Sequence, residues 1–143
     1  MTASNLGAIL IGAAILCLGA HAFACDANPV YRESLPDGRT FAIFMTTAQV
    51  QRSPRWNDDG QPAMTWMAAT RYLGEWAREQ YRGYDDVKYY QIGIKSFECP
   101  DLKDHRFYLF HLVVRNNGVE TYGGQHFAAV LLDSTVVGPR EIK

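Results

Sequence analysis

The chain has 143 residues, a formal net charge of −1 and an aromatic content of 13%. The near-neutral charge argues against non-specific nucleic-acid binding, which needs a basic surface, and against electrostatic attraction to membranes. The aromatic content is typical of a packed globular domain. No cofactor-binding motif occurs in the sequence, so no cofactor is expected.

The first 24 residues have the composition of a secretory signal peptide. Leu6 to Gly19 forms an apolar run that is shorter than the roughly 20 residues needed to span a membrane. Small residues at Ala22 and Ala24 match the cleavage pattern. We expect a secreted or periplasmic protein, cleaved after Ala24 or Ala22, whose residues 25–143 form a single domain. An uncleaved N-terminal anchor is the alternative.

Two predictions compete for Cys25. In an oxidising compartment it pairs with Cys99, the other cysteine beyond residue 24. As the first residue after the leader, it could instead carry a lipid that anchors the protein in the cell envelope. Ala24 is the small residue that lipidation needs beside the cysteine, but Ala22 and Phe23 depart from the usual pattern. We favour the disulfide and expect membrane association only if Cys25 is lipidated.

The N-terminal half of the domain predicts a turn, a strand, a loop and a helix. Leu35 to Gly38 has turn chemistry, and Arg39 to Gln51 is predicted as a strand because β-forming residues alternate there. Ser53 to Pro62 is predicted as a loop. Thr65 to Arg82 is the one long predicted helix, with Thr65 as its cap. Its apolar face comprises Trp66, Ala69, Leu73, Trp76 and Ala77.

The C-terminal half predicts an antiparallel meander. Its strands are Val87 to Glu98, Arg106 to Asn116 and Gln125 to Val137. Asn117-Gly118 suits a type I′ hairpin turn, and Gly123-Gly124 suits a bulge or turn. The order of strand, helix and meander predicts an α+β fold in which one long helix packs on an antiparallel sheet of about four strands.

Both faces of this sheet are apolar in the sequence. One face carries Tyr89, Phe97, Phe107, Leu109 and Val113, and the other carries Tyr90, Ile92, Phe110, Leu112 and Val114. A single helix covers only one of them. The second face must therefore form a ligand cavity, pair with a partner or a second copy, or be covered by the N-terminal segment.

The order of elements resembles the cystatin-like and NTF2-like layout of small secreted bacterial domains. The loop from Pro54 to Pro62, followed by a Trp-rich helix, is similar to that of several uncharacterised families of such proteins. Val114 to Gly118 lies at the hairpin that is comparable to the wedge loop of inhibitory cystatins, but it does not match that motif. The resemblance therefore implies the fold and does not imply protease inhibition.

His111 and His126 are the main candidate ligand-binding residues. His111 lies in mid-strand with Phe107 and Leu109 on its face, where it is either a hydrogen-bonded core residue or part of a sheet-floored pocket. If the strands register on the Asn-Gly turn, His126 lies near this group and the two histidines could sense pH together. Trp56 either clamps its loop onto the core or contacts a partner.

The loop from Cys99 to His105 is the most polar candidate. A free Cys99 with His105 as base would be a nucleophile, although a bridged Cys99 is favoured. Asp101, Asp104 and His105 are metal-ligand types in one short loop. Because no second ligand cluster accompanies them, no metal site is expected.

Three functional hypotheses follow from these residues. The preferred one is a non-enzymatic binding or interaction module that uses the second sheet face for an unknown protein, a small apolar ligand or a homodimer. The second is a small hydrolase or isomerase with His111 or His105 as base. The third is a periplasmic inhibitor or immunity protein, which the size and the export signal permit.

Overall fold

The computed structural model describes residues 25–56 and 60–143. The predicted leader and Asn57 to Asp59 of the predicted loop lie outside the described residues. The elements, in chain order, are β1 (Tyr31–Ser34), β2 (Thr40–Ile43), α1 (Thr47–Arg52), α2 (Trp66–Gln80), β3 (Asp86–Ser96), a 3₁₀ helix (Pro100–Leu102), β4 (Arg106–Asn116), β5 (Val119–Leu131), β6 (Val136–Val137) and β7 (Arg140–Ile142). The predicted α+β class is confirmed.

The strands form two antiparallel sheets. The larger sheet, β3-β4-β5-β6, contains the predicted C-terminal meander, whose last predicted strand is divided into β5 and β6, and the smaller sheet has the order β1-β2-β7. Asn117 and Gly118 join β4 to β5 with φ angles of 51° and 77°, as a type I′ turn requires. The N-terminal strand was expected in the larger sheet, but β2 pairs instead with β1 and β7.

Helix α2 covers one face of the larger sheet. The Thr65 hydroxyl accepts a hydrogen bond from the N–H of Ala68, so the predicted cap is present. Ala69 and Leu73 are buried against this face. Trp66 is 49% exposed and does not belong to the buried stripe as predicted, because the stripe begins one turn later, at Ala69.

The opposite face is covered by the N-terminal segment, which is one of the three outcomes that the sequence left open. Ile43, Met45 and Val50 pack there in one cluster with Phe107 and Leu109. Both of the latter are fully buried. They are therefore core residues beneath the N-terminal segment, and neither lines a described cavity.

The predicted strand from Arg39 to Gln51 is wrong in its second half. The strand ends at Ile43, and α1 begins at Thr47. The reason is a capping box: the Thr46 hydroxyl accepts the N–H of Gln49, and the Gln49 side-chain oxygen accepts the N–H of Thr46. The third C-terminal strand also differs, because β5 starts earlier, at Val119, and a turn separates it from β6.

A bulge in β3 corrects the predicted faces of two tyrosines. Tyr89 pairs with Leu112 and Gln91 pairs with His111, so Tyr90 is an extra residue. The alternation reverses at this point. Tyr89 therefore shares the helix face with Phe110, and the Tyr90 ring lies near His111 on the opposite face.

A disulfide joins Cys25 to Cys99, as favoured from the sequence. It ties the start of the N-terminal segment to the loop after β3, and it is consistent with an oxidising extracytoplasmic compartment. The bond uses the Cys25 sulfur on which a thioether-linked lipid would be carried. None of the helices among the described residues has the length and apolarity to cross a membrane.

Candidate functional site

A cavity of about 440 Å³ lies at the C-terminal end of α2, beside β5 and the segment that joins β6 to β7. Its walls come from α2, from both sheets and from their connections. The lining residues are Phe41, Trp76, Gln80, Tyr81, Gln125, His126, Gly138 and Pro139. Three of them are aromatic and two carry amides, so the cavity offers flat apolar surfaces together with hydrogen-bonding edges.

His126 and Tyr81 form the polar centre of this cavity. The Tyr81 hydroxyl lies 3.1 Å from Nδ1 of His126, and the Gln125 side-chain amide lies 3.5 Å from Nε2. Burial lowers the pKa of His126 below its ordinary 6.5 and raises the pKa of Tyr81 to about 12. Both groups are therefore uncharged near neutral pH.

A large bulge in β5, with four residues opposite one, places His126 at the cavity. His111 pairs with Phe127 and Val113 pairs with Tyr122, so the four residues from Gly123 to His126 lie opposite Leu112 alone. Gly123 and Gly124 have φ angles of 54° and 66°, a region that glycine adopts readily. Of the bulge and the turn that the sequence left open at these glycines, the structure has the bulge.

The same register rules out the predicted pair of His111 and His126. Because Phe127 lies directly opposite His111, the residue before it points to the other face of the sheet. His126 accordingly contacts Tyr81 beside the helix, and His111 contacts Tyr31 of β1. The two histidines sit in separate layers.

Gly138 fixes the shape of one wall. A Cβ atom at this position would lie 2.5 Å from the Trp76 ring. The indole edge therefore approaches the backbone more closely than any larger residue would permit. The Trp76 ring also meets Tyr81 edge to face at 6.1 Å, which holds both aromatic walls in place.

His111 belongs to a second polar group, built from both sheets. Its Nε2 lies 2.7 Å from Oε1 of Glu33 and 3.0 Å from the Tyr31 hydroxyl, which itself donates to Glu33 at 2.6 Å. Desolvation and the Glu33 hydrogen bond raise the pKa of Tyr31. His111 is thus a hydrogen-bonded interior residue with a carboxylate partner. It does not line the cavity at α2.

The other candidates from the sequence lie apart from both groups. The Trp56 ring packs edge to face on the Tyr108 ring, with 6.1 Å between the ring centroids. The backbone N–H of Trp56 donates to the carbonyl of Asp104. These contacts are those expected if Trp56 clamps its loop onto the core. His105 is buried, and its Nδ1 has no hydrogen-bond partner among the described residues. Cys99 is bridged and is not a free nucleophile. Within residues 25–56 and 60–143, no group of three His, Cys, Asp or Glu side chains could hold a metal.

A second cavity, of about 760 Å³, lies beside the disulfide. Apolar side chains of Met45 and Phe97 and the bridged Cys25 and Cys99 form part of its lining. Tyr31 also reaches it from β1. Most of the lining comes from the N-terminal segment and from the loop after β3, and the described residues that line it include no histidine.

Of the ligand-binding candidates predicted from the sequence, His126 lines this cavity, and most of the residues around it were not predicted as candidates. Trp76 was predicted only as core, and Tyr81, Gln125 and Gly138 were not singled out. A glycine followed by a proline after a strand, as at Gly138-Pro139, indicates that another group approaches the backbone closely. The pattern does not identify that group. No protein-family model matches the chain, and neither a curated protein nor a solved structure is significantly similar to it.

Proposed function

We propose that the protein is an exported, non-enzymatic binding module that holds a small uncharged molecule in the cavity at the end of α2. The observation that carries this proposal is the lining: in the described part of the chain it consists of aromatic rings, amides and one imidazole, with no acidic residue, lysine or arginine. The volume of about 440 Å³ lies within the range of roughly 300–1,000 Å³ typical of small-molecule sites.

The electrostatics of the cavity favour a neutral ligand. The lowered pKa of His126 and the raised pKa of Tyr81 keep both groups uncharged near neutral pH. An ionic ligand would lose its hydration and find no countercharge in the described lining. A flat molecule with a polar edge fits better, because its ring can face Trp76 while its edge meets Tyr81 and Gln125.

The test is a screen of neutral aromatic compounds against residues 25–143 by NMR, followed by calorimetric titration of the compounds that bind. We expect them to shift the Trp76 indole and His126 ring signals. Tyr81→Phe should weaken binding about fivefold, because one hydrogen bond is worth roughly 1 kcal/mol. The matched control is Tyr84→Phe, which removes the hydroxyl of a 40% exposed ring outside the lining.

A glycine pair sharpens this test. Gly138→Ala pushes the Trp76 ring, since its Cβ would lie 2.5 Å away, and should weaken binding by more than about tenfold. Gly60→Ala is the control, because a Cβ there meets nothing within 4 Å among the described residues. Two results would contradict the proposal. One is an affinity that is unchanged in Gly138→Ala, and the other is preferential binding of charged compounds that shift the Trp76 and His126 signals.

Catalysis by His111 is the second candidate function. The distance of 2.7 Å between His111 Nε2 and Glu33 Oε1 supports it, because a carboxylate orients and strengthens a histidine base. The test is an ester-hydrolysis assay of the wild type and of His111→Ala. Retention of any detected activity in the variant would remove this candidate. His105→Ala tests the other histidine that the sequence offered as base, which is buried outside this group.

A further inference from the structure

Strand β3 is the edge of the four-stranded sheet, and its outer side pairs with no strand among the described residues. It is 11 residues long and carries three large exposed apolar side chains: Tyr89, Tyr90 and Ile94. We propose that this edge pairs antiparallel with β3 of a second copy. The two-fold axis would pass between Tyr90 and Gln91. The surface is separate from the cavity at α2.

The bulge at Tyr90 determines which registers suit such a pair. Residues that face each other across a sheet must point to the same side. In β3, Val87 and Tyr89 share the helix side with Ile92 and Ile94, because the bulge reverses the alternation between them. An antiparallel pair about Tyr90 and Gln91 therefore sets Val87 against the partner's Ile94, and Tyr89 against the partner's Ile92.

The charges fit the same register. On the side away from the helix, Asp86 falls opposite the partner's Lys95, twice in the symmetric pair. A shift of two residues in one direction would instead place Lys88 against the partner's Lys95, and the opposite shift would set Asp86 against the partner's Gly93, where it has no cation. In the single chain, Asp86 contacts Lys88 at 2.9 Å and Arg115 at 3.2 Å, while Lys95 lies 6.0 Å from the Tyr31 ring. Lys95 thus has no carboxylate among these contacts.

Lysines and bulges also protect sheet edges against indiscriminate pairing. Here they do so selectively. They disfavour registers that oppose like charges or mismatch the faces, and of the face-matched registers only the proposed one sets Asp86 against the partner's Lys95. A strand that was only protected would remain monomeric, so the oligomeric state decides between the two roles.

The experiment is sedimentation equilibrium on oxidised residues 25–143, from about 1 μM to about 1 mM. We expect a reversible dimer, whose dissociation constant rises at least about tenfold in Lys95→Glu, because this change sets a second carboxylate against the partner's Asp86. The control is Lys103→Glu, the same charge change on the exposed loop after the 3₁₀ helix. Thermal melts verify that both variants fold.

Cross-linking tests the register directly. Asp86→Cys and Lys95→Cys, mixed and oxidised, should form a heterodimer that neither variant forms alone. A monomer at every concentration overturns the proposal. So does a dimer that is insensitive to Lys95→Glu and gives no such cross-link, since that dimer uses another surface.

Discussion

The two faces of the four-stranded sheet are covered in different ways. On one face lies α2, a single helix that directly precedes the sheet in the chain. The other face is covered by the β1-β2 hairpin, α1 and Val137, which come from both ends of the described domain. We call these two faces the helix side and the hairpin side. The first cover forms from one local pattern. The second needs pairing between distant segments and a covalent link from Cys25 to Cys99.

This difference explains where the polar groups lie. On the helix side, His126 meets Tyr81 at the end of α2, beside a cavity. On the hairpin side, His111 meets Glu33 and Tyr31, which reach it from the added sheet. Both histidines are largely buried: His126 is 5% exposed beside the cavity, and the side chain of His111 is 12% exposed beneath the hairpin.

The first prediction asks whether the two layers unfold as one unit. Phe107 and Phe110 are both fully buried, on the hairpin side and the helix side respectively. Each change to Ala should lower the free energy of unfolding by about 3–5 kcal/mol, measured by urea denaturation. Val119→Ala, at a 66% exposed position, should change it by less than about 0.5 kcal/mol. A loss from only one phenylalanine would show that the layers unfold separately.

The second prediction concerns the link that only the hairpin side possesses. The bond spans 74 residues, so replacing Cys25 and Cys99 with Ser should cost about 4 kcal/mol of unfolding free energy by the chain-entropy argument. Hydrogen exchange should accelerate more in β1 and α1 than in α2. Reduction of the wild type is the control and should reproduce the loss. Equal acceleration in α2 would refute the division into two covers.

The helix side could largely be predicted from the sequence. The spacing of Ala69, Leu73 and Ala77 identifies α2, and the alternation in β4 assigns both faces of that strand correctly. These patterns are local, so periodicity alone reveals them. The hairpin turn at Asn117-Gly118 is local in the same sense.

The hairpin side and the cavity could not be predicted in this way. Whether Phe107 and Leu109 are core residues or line a pocket depends on which distant segment covers them. Periodicity within a strand does not identify that segment. The predicted proximity of His111 and His126 was wrong because the β5 bulge places four residues opposite Leu112. Glycines indicate that a bulge can form, but they do not determine how many residues it contains. The capping box at Thr46 and Gln49 could have predicted the start of α1, but the high β-propensity of the surrounding residues favoured a strand there.

The third prediction concerns the pH dependence of stability on the helix side, where His126 lies. Because burial lowers the pKa of His126 below 6.5, the folded state favours its neutral form. The associated stability is complete above about pH 6.5 and is lost as the pH falls through the lower pKa of the folded state. Hydrogen bonds lower the pKa values of Asp26, Asp37 and Asp86 below 3.8, so their contributions are lost only in stronger acid.

We therefore expect the melting temperature to fall between about pH 7.5 and about pH 5, and to fall less in His126→Gln. Gln80→Ala is the control, because it alters the same cavity without removing a titratable group. A pH response that is identical in His126→Gln and in the wild type would contradict this prediction.

The smallest effects compare the caps of the two helices. Thr46 caps α1 on the hairpin side, and Thr65 caps α2 on the helix side. Each change to Ala should cost about 1 kcal/mol of unfolding free energy, with Thr70→Ala as a helix-interior control. Because α1 has only six residues, it cannot persist without its cap and its buried Val50. Thr46→Ala should therefore speed amide exchange throughout α1, whereas Thr65→Ala should affect only the first turn of α2. Fraying of equal extent in both helices would mean that the hairpin side holds α1 as firmly as the sheet holds α2.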